Sequence, residues 1–364
     1  MSTFALMAGG TGGHLFPAMA LAQELRRRGH DIHLVTDERV TRYGADFPAT
    51  ETHVVPAATP SIRHPVKFAK AGITILGGVA KAMGIMRRIE PDAVVGFGGY
   101  PCFPPFLAAS LMGIPGVLHE QNAVLGRANR ALARFADVLA MSFTQTAHTE
   151  KFRLNKVLTG NPVRDRVVRA ADAAYPALTE GATIQLLVFG GSQGARVFSD
   201  LVPAAIALLE EPLRRRLNVV QQCREEDLER VTEAYRAARV NVELATFFDD
   251  LPERIANAHL VLGRAGASTV AALGVLGRPA ILVPLPGSLD QDQRANALVM
   301  EGAGGAWLAD QATLSPQSLA TQLHDLLNAP DTLIAAAQAA RAVGVADAVT
   351  RLADLVEQTA KGPK

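Results

Sequence analysis

The stretch Phe4–Leu25, FALMAGGTGGHLFPAMALAQEL, sets four glycines and a histidine between an apolar run and a helical pattern. Phe4 to Ala8 is short, apolar and free of breakers, as a buried parallel strand is. From Leu15, apolar residues recur at helical spacing (Leu15, Met19, Ala22, Leu25) until Gly29 stops the pattern. DIHLVTD, residues 31–37, then alternates as a strand. The order strand, glycine turn, helix, strand is one βαβ unit with its glycines at the carboxyl end of the first strand. Without Cβ atoms, such a turn lets backbone N–H groups and a helix N-terminus approach an anion, and phosphate is the natural candidate.

The pattern returns. TIQLLVFGGSQGARVFSDLVPAAIALL, from Thr183, repeats apolar strand, glycine loop and amphipathic helix, and LNVVQQ follows as a further strand. Gly160, Asn161 and Pro162 mark a turn between the halves. With 364 residues the chain has room for two domains. The expected fold class is therefore α/β, two Rossmann-like domains facing one another across a cleft. The boundaries read as 1–163, 164–340 and a helical, Ala-rich end at 341–364 that packs back on the N-terminal domain.

Composition narrows the class. Cys102 and Cys223 are the only cysteines and lack metal-ligand spacing, so they read as buried thiols in a reducing compartment. The start of the chain carries no secretory pattern. Ala93–Leu118 has no charged residue and is long enough to span a bilayer, but four prolines and five glycines interrupt it. It reads as buried strand, glycine loop, helix and buried strand. Residues 1–165 hold 18 Lys+Arg against 12 Asp+Glu, a net of +6, which leaves 18 against 23 in the remainder. Within the basic half, residues 61–90 place six Lys/Arg and one acid among Ile, Leu, Val and Met. That segment is either an ordinary amphipathic helix or a face for an anionic membrane surface. No nucleic-acid motif occurs.

The glycine loops match neither of the best-known nucleotide motifs. GGTGGH lacks the Lys–Ser/Thr ending of a Walker loop, and Leu15 occupies the third glycine position of a dinucleotide fingerprint. GGSQGAR fails the same test. Asp37 stands where a ribose-binding acid would, but without the fingerprint it reads as a solvated loop carboxylate. A nicotinamide dehydrogenase is disfavoured.

Seven blocks together resemble one family: AGGTGGHLFPAMALAQEL, GFGGYPCFPPFLAA, LHEQNAVLGRANR, GNPVR, FGGSQGAR, RAGASTVAAL and PLPGSLDQDQRANA. Their order and spacing are similar to those of the MurG family, bacterial transferases that build peptidoglycan. The resemblance runs from about Phe4 to the C-terminal helix. It implies a GT-B fold with UDP-GlcNAc held mainly by the second domain. It further implies lipid I (undecaprenyl-diphospho-MurNAc-pentapeptide) as the acceptor, met by the first domain, and lipid II as the product. The implied location is peripheral, on the cytoplasmic face of the inner membrane, docked through residues 61–90, with other cell-wall synthesis proteins as further partners. No cofactor is implied, and no metal site is expected.

The resemblance also carries residue roles. In the first loop, at the cleft between donor and acceptor, Thr11, Gly12 and Gly13 meet the donor UDP-GlcNAc and Gly10 the acceptor diphosphate. Gly98, Gly99 and Tyr100 belong to a second loop facing the acceptor diphosphate. His14 is either the general base of an inverting transfer or a cap that holds a phosphate. Glu120 is the rival base or a structural carboxylate, and Asn122 is a sugar contact. Arg164 matches a donor-binding arginine, with an interdomain salt bridge as its other reading. Ser192, Gln193 and Gly194 match the donor-phosphate loop, and Phe248 matches a position lying against uracil. Ala267, Ser268, Thr269, Val270, Ala271 and Ala272 open a helix aimed at the α-phosphate, where its N-terminus stabilises departing UDP. Gln293 and Asn296 read the GlcNAc hydroxyls. One departure stands out: the family usually has a ribose-binding glutamate where this chain has Ala272. Two other classes share the features, a UDP-GlcNAc 2-epimerase-like enzyme and a catalytically weak UDP-sugar-binding scaffold.

Overall fold

The computed structural model describes residues 1–9, 12–39, 47–58, 65–179, 181–191 and 194–362, with side chains of the helix at 65–89 described from residue 69. The chain divides into two compact units, Met1–Arg164 with Val345–Lys364, and Asp165–Gly344.

The first unit is built on seven strands, β1 (Thr3–Met7), β2 (Asp31–Thr36), β3 (Glu51–Val54), β4 (Ala93–Gly96), β5 (Gly116–Glu120), β6 (Val138–Met141) and β7 (Asn155–Leu158). All pairings are parallel, in the order β3-β2-β1-β4-β5-β6-β7. Alternate residues of β1 serve opposite layers, as the two-residue period of a strand requires. Phe4 and Leu6 join Leu15, Leu21 and Leu25 of the helix Gly12–Arg27. Ala5 and Met7 join Val79 and Met86 of the helix Pro65–Ile89, and Phe106 beyond them. With both faces covered, the central strands are buried throughout, which explains their unbroken apolar runs. Ala93–Leu118 folds as β4, a glycine loop, the helix Phe103–Leu111 and β5.

The second unit has six strands, β8 (Ile184–Phe189), β9 (Leu217–Gln222), β10 (Asn241–Ala245), β11 (Leu260–Gly263), β12 (Ala280–Leu282) and β13 (Ala306–Leu308), again parallel, in the order β10-β9-β8-β11-β12-β13. In both sheets the strand order reverses direction beside the first strand, between β1 and β4 and between β8 and β11. Ligands of open α/β sheets bind outside the carboxyl ends of the strands at such a switch point.

Three details depart from the sequence pattern. The first helix starts at Gly12, before the apolar spacing that begins at Leu15, so Gly12, Gly13 and His14 form its first turn. Glycine is a poor helix former, and the turn is fixed here by packing. The division between units falls after Arg164, and the chain re-enters the first unit at Val345 instead of 341. The helix Ala348–Ala360 accordingly buries Leu352 and Val356 with Leu15, Leu21 and Leu25. Arg28 also pairs with Asp354 at 2.6 Å, and His30 with Glu357 at 2.9 Å.

Candidate active site

At the first switch point the loop after β1 meets the loop after β4, and the Phe97 N–H donates to the Met7 carbonyl at 2.9 Å. Gly98 and Gly99 both have positive φ, 87° and 75°. A Cβ at Gly98 would stand 3.4 Å from His14 Cε1, and one at Gly99 3.3 Å from His14 Cδ2. The glycine pair therefore supplies a left-handed turn and lies directly against the histidine ring. Tyr100 follows in a short 3-10 turn, half-buried. Gly10 and Thr11 lie outside the described residues.

Behind His14 stands the end of β5. Residues two apart on a strand share a face, so His119 and Gln121 project together while Glu120 projects oppositely. Gln121 Oε1 lies 3.1 Å from His14 Nδ1, and Gln121 Nε2 lies 3.0 Å from His119 Nδ1. His119 Nε2 donates to the Gly160 carbonyl at 3.0 Å. Burial pushes the His119 imidazole down to about 4, against the pull of that carbonyl and with a smaller contribution from His14.

Glu120 is 2% exposed, and each carboxylate oxygen is occupied. Oε1 accepts from the Asn122 N–H (3.0 Å) and the Asn122 amide (3.2 Å). Oε2 accepts from the Gly126 N–H and the Asn129 amide, both at 2.8 Å. Burial raises its pKa, and these donors oppose the rise. With no oxygen open to a substrate, Glu120 is a clamp that closes the loop 120–129, which corrects its reading as a rival base. Asn122 is held by that clamp and half-buried. Arg164 belongs to this first unit, against its expected place at the head of the second domain, and its guanidinium stacks 4.5 Å from the Phe16 ring centroid.

In the second unit, the loop after β8 turns so tightly that a Cβ on Gly190 would lie 2.3 Å from the Ala195 nitrogen. The Gly190 N–H donates to Gln222 Oε1 at 3.0 Å, and Gln222 donates on to the Thr246 carbonyl at 3.2 Å. Gly194 has a positive φ of 68°. Ser192 and Gln193 lie outside the described residues. Phe248 is buried beneath Arg254, whose guanidinium lies 4.4 Å from its ring and pairs with Asp250 and Glu243.

The loop after β11 opens the helix Ala267–Leu276. Gly266 caps it in an extended conformation without a side-chain bond, and its first turn holds no acid. Such an end presents unpaired N–H groups and the positive pole of the helix to an anion. The Ser268 Oγ is buried and has no hydrogen-bond partner among the described residues. Thr269 and Ala271 are half-buried on the same two turns, while Ala267 and Val270 are buried. Ala272 is 8% exposed.

Gln293 Oε1 accepts from the Leu285 N–H at 2.9 Å. Asn296 is 0% exposed, and its amide donates to the Ala265 carbonyl at 3.1 Å. Sealed from solvent, Asn296 braces the turn before the helix. Arg264 was not singled out by sequence. It is buried, and its guanidinium donates to the carbonyls of Val283 and Pro284 at 3.0 Å and to Gln311 Oε1 at 2.8 Å, tying the turn after β11 to the chain after β12. The signal was a lone arginine between apolar strand and glycine, GRAG. Among the described residues one further group, His33, Glu51 and His53, has metal-ligand reach. Its nitrogens already form a chain from Arg88 through His53 and His33 to Asp31.

Two parallel sheets of Rossmann order, each with glycine loops at its switch point, make up a fold of the GT-B type. The glycosyltransferase family 28 N-terminal domain matches residues 4–141 and the family 28 C-terminal domain matches residues 185–352. A relative from Methylobacterium sp. (strain 4-46) is 54% identical over 98% of this chain and 96% of its own. One from Rhizobium rhizogenes (strain K84 / ATCC BAA-868) is 50% identical over 98% and 95%. Both are named UDP-N-acetylglucosamine–N-acetylmuramyl-(pentapeptide) pyrophosphoryl-undecaprenol N-acetylglucosamine transferase. The chain belongs to this family of N-acetylglucosamine transferases, the MurG family. The crystal structure of Acinetobacter baumannii MurG matches with a TM-score of 0.81 at 30% identity, covering 98% of this chain and 100% of that one. A UDP-GlcNAc 2-epimerase from Neisseria meningitidis shares the fold with a TM-score of 0.68, at 13% identity.

Proposed function

We propose that this protein transfers GlcNAc from UDP-GlcNAc to the 4-hydroxyl of MurNAc in lipid I, with inversion, giving lipid II. The observation that carries the reading is 54% identity across nearly the whole of both chains with a relative named for that transfer. The site geometry supports it. His14 flanks a glycine loop at the first switch point, where an imidazole can take the proton of the attacking hydroxyl. As that oxygen bonds to the anomeric carbon, the bond from that carbon to the β-phosphate oxygen breaks and its electron pair leaves with UDP. The open N-terminus of Ala267–Leu276 and the Ser268 hydroxyl are suited to the diphosphate charge that then develops.

The protein works at the cytoplasmic face of the inner membrane, where its acceptor is anchored. The helix Pro65–Ile89 supports this: Ile73 and Leu76 are 72% and 70% exposed, and Lys70, Lys81 and Arg87 lie exposed along the same helix. The test is release of UDP from UDP-GlcNAc with and without a short-chain lipid I. Acceptor-dependent release is expected. ManNAc formed without acceptor would make the protein an epimerase, and binding without turnover would make it a scaffold.

A further inference from the structure

The proton positions along Gly160–His119–Gln121–His14 follow from two backbone carbonyls. A carbonyl only accepts. The Gly160 carbonyl lies 3.0 Å from His119 Nε2, so that nitrogen carries the proton and neutral His119 accepts at Nδ1. The His119 carbonyl lies 3.1 Å from Gln121 Nε2, which independently fixes that atom as the amide nitrogen. Gln121 therefore donates to His119 Nδ1 at 3.0 Å and turns its oxygen to His14. That oxygen, 3.1 Å from His14 Nδ1, requires Nδ1–H. The lone pair of His14 is then on Nε2, the ring edge that lies beside Gly99, where a Cβ would come within 3.5 Å.

We propose that Gln121 and His119 are positioning residues that hold His14 as its Nδ1–H tautomer, so that Nε2 is the atom that receives the acceptor's proton. The tautomer of a catalytic histidine is set by the bond its other nitrogen makes, and a third group behind nucleophile and base is the usual orienting device. Here an amide does the work of a carboxylate. The amide sets direction without adding charge, and His119 in turn sets the amide. Burial keeps His119 neutral near pH 7, so the directions do not reverse there.

The inference rests on the transferase reading for its function, but the tautomer can be measured without turnover. Long-range proton–nitrogen NMR of histidine-labelled protein at pH 8, with His14→Gln to assign the signal, reads which nitrogen is protonated. The expected result is a protonated Nδ1 and a bare Nε2 on His14. A protonated Nε2 overturns the proposal whatever the enzyme transfers. Gln121→Met removes all three amide hydrogen bonds, to His14 Nδ1, His119 Nδ1 and the His119 carbonyl, at similar volume. It should yield mixed tautomers and about a tenfold lower kcat at unchanged KM for UDP-GlcNAc, less than the 10²–10⁴-fold expected for losing the base itself. An unaltered tautomer with kcat within twofold of the parent also overturns the proposal. If Gln121→Met does not fold, the spectrum of the parent protein decides alone.

Discussion

His14 occupies the first turn of a helix, half-buried, with one ring edge held by Gln121 and the other beside the Gly98–Gly99 turn. On the proposed mechanism, His14 serves the acceptor hydroxyl and not the uridine. His14→Ala should therefore lower kcat by 10²–10⁴-fold while UDP binding, measured by titration, stays near the parent value. Turnover within about threefold of the parent would remove His14 from the chemistry. His119 gives a separate expectation. Its imidazole titrates at about 4 in the fold because it is buried and near 6.5 when unfolded. The unfolded chain thus binds more protons between those values, and stability rises with pH across that window. The contribution is fully present above about pH 6.5 and is lost as pH falls towards 4, amounting to roughly 3 kcal/mol from 1.36 kcal/mol per pKa unit. Urea midpoints measured from pH 7.5 to 4.5 should fall steeply in the parent and less so in His119→Asn. Equal slopes in the two proteins would contradict this.

Two helices carry the expectations that belong to elements. On Pro65–Ile89, apolar Ile73 and Leu76 stand exposed among Lys70, Lys81 and Arg87. Each basic residue near an anionic surface contributes about 1 kcal/mol, so Lys70→Glu, Lys81→Glu and Arg87→Glu together should weaken vesicle binding by at least about a hundredfold. Activity on a soluble short-chain acceptor should be spared, and vesicle sedimentation unchanged by the triple variant would place docking elsewhere. On Ala267–Leu276, the Cβ of Ala272 leans toward the N-terminus, as every helical Cβ does. A glutamate there can reach back toward the open first turn, where the family's ribose contact lies by resemblance. Ala272→Glu should lower KM for UDP-GlcNAc about tenfold, the scale of 1.4 kcal/mol, with kcat little changed, since ribose contacts alter little as the sugar bond breaks. An unchanged or higher KM would mean that the buried position rejects the carboxylate and that the ribose is held by other groups.

At the scale of the whole chain, the repeated strand–glycine–helix pattern at Phe4 and Thr183 was enough to give two parallel α/β units. Buried parallel strands read as apolar runs, and their switch-point loops need glycine. The ends of elements were less legible. Gly12 and Gly13 have no helical tendency of their own, and the return of Ala348–Ala360 to the first unit depends on Leu352 and Val356 meeting Leu15, Leu21 and Leu25, a contact no local pattern states. In the site, His14 and the loop blocks stood out by residue type. Burial redefined another: Glu120, with both oxygens occupied, is a brace whose chemistry alone suggested a base. Gln121 and His119 became informative only when two carbonyls fixed the direction of each hydrogen bond.

The central claim is transfer of GlcNAc to a lipid-linked MurNAc. It is tested most directly by incubating the protein with radiolabelled UDP-GlcNAc and short-chain lipid I, then determining the product's linkage by NMR. The account predicts label joined to the MurNAc 4-hydroxyl through a β-linkage, with one UDP released per sugar transferred. Label retained in UDP-GlcNAc, recovered as ManNAc, or joined through an α-linkage would contradict it.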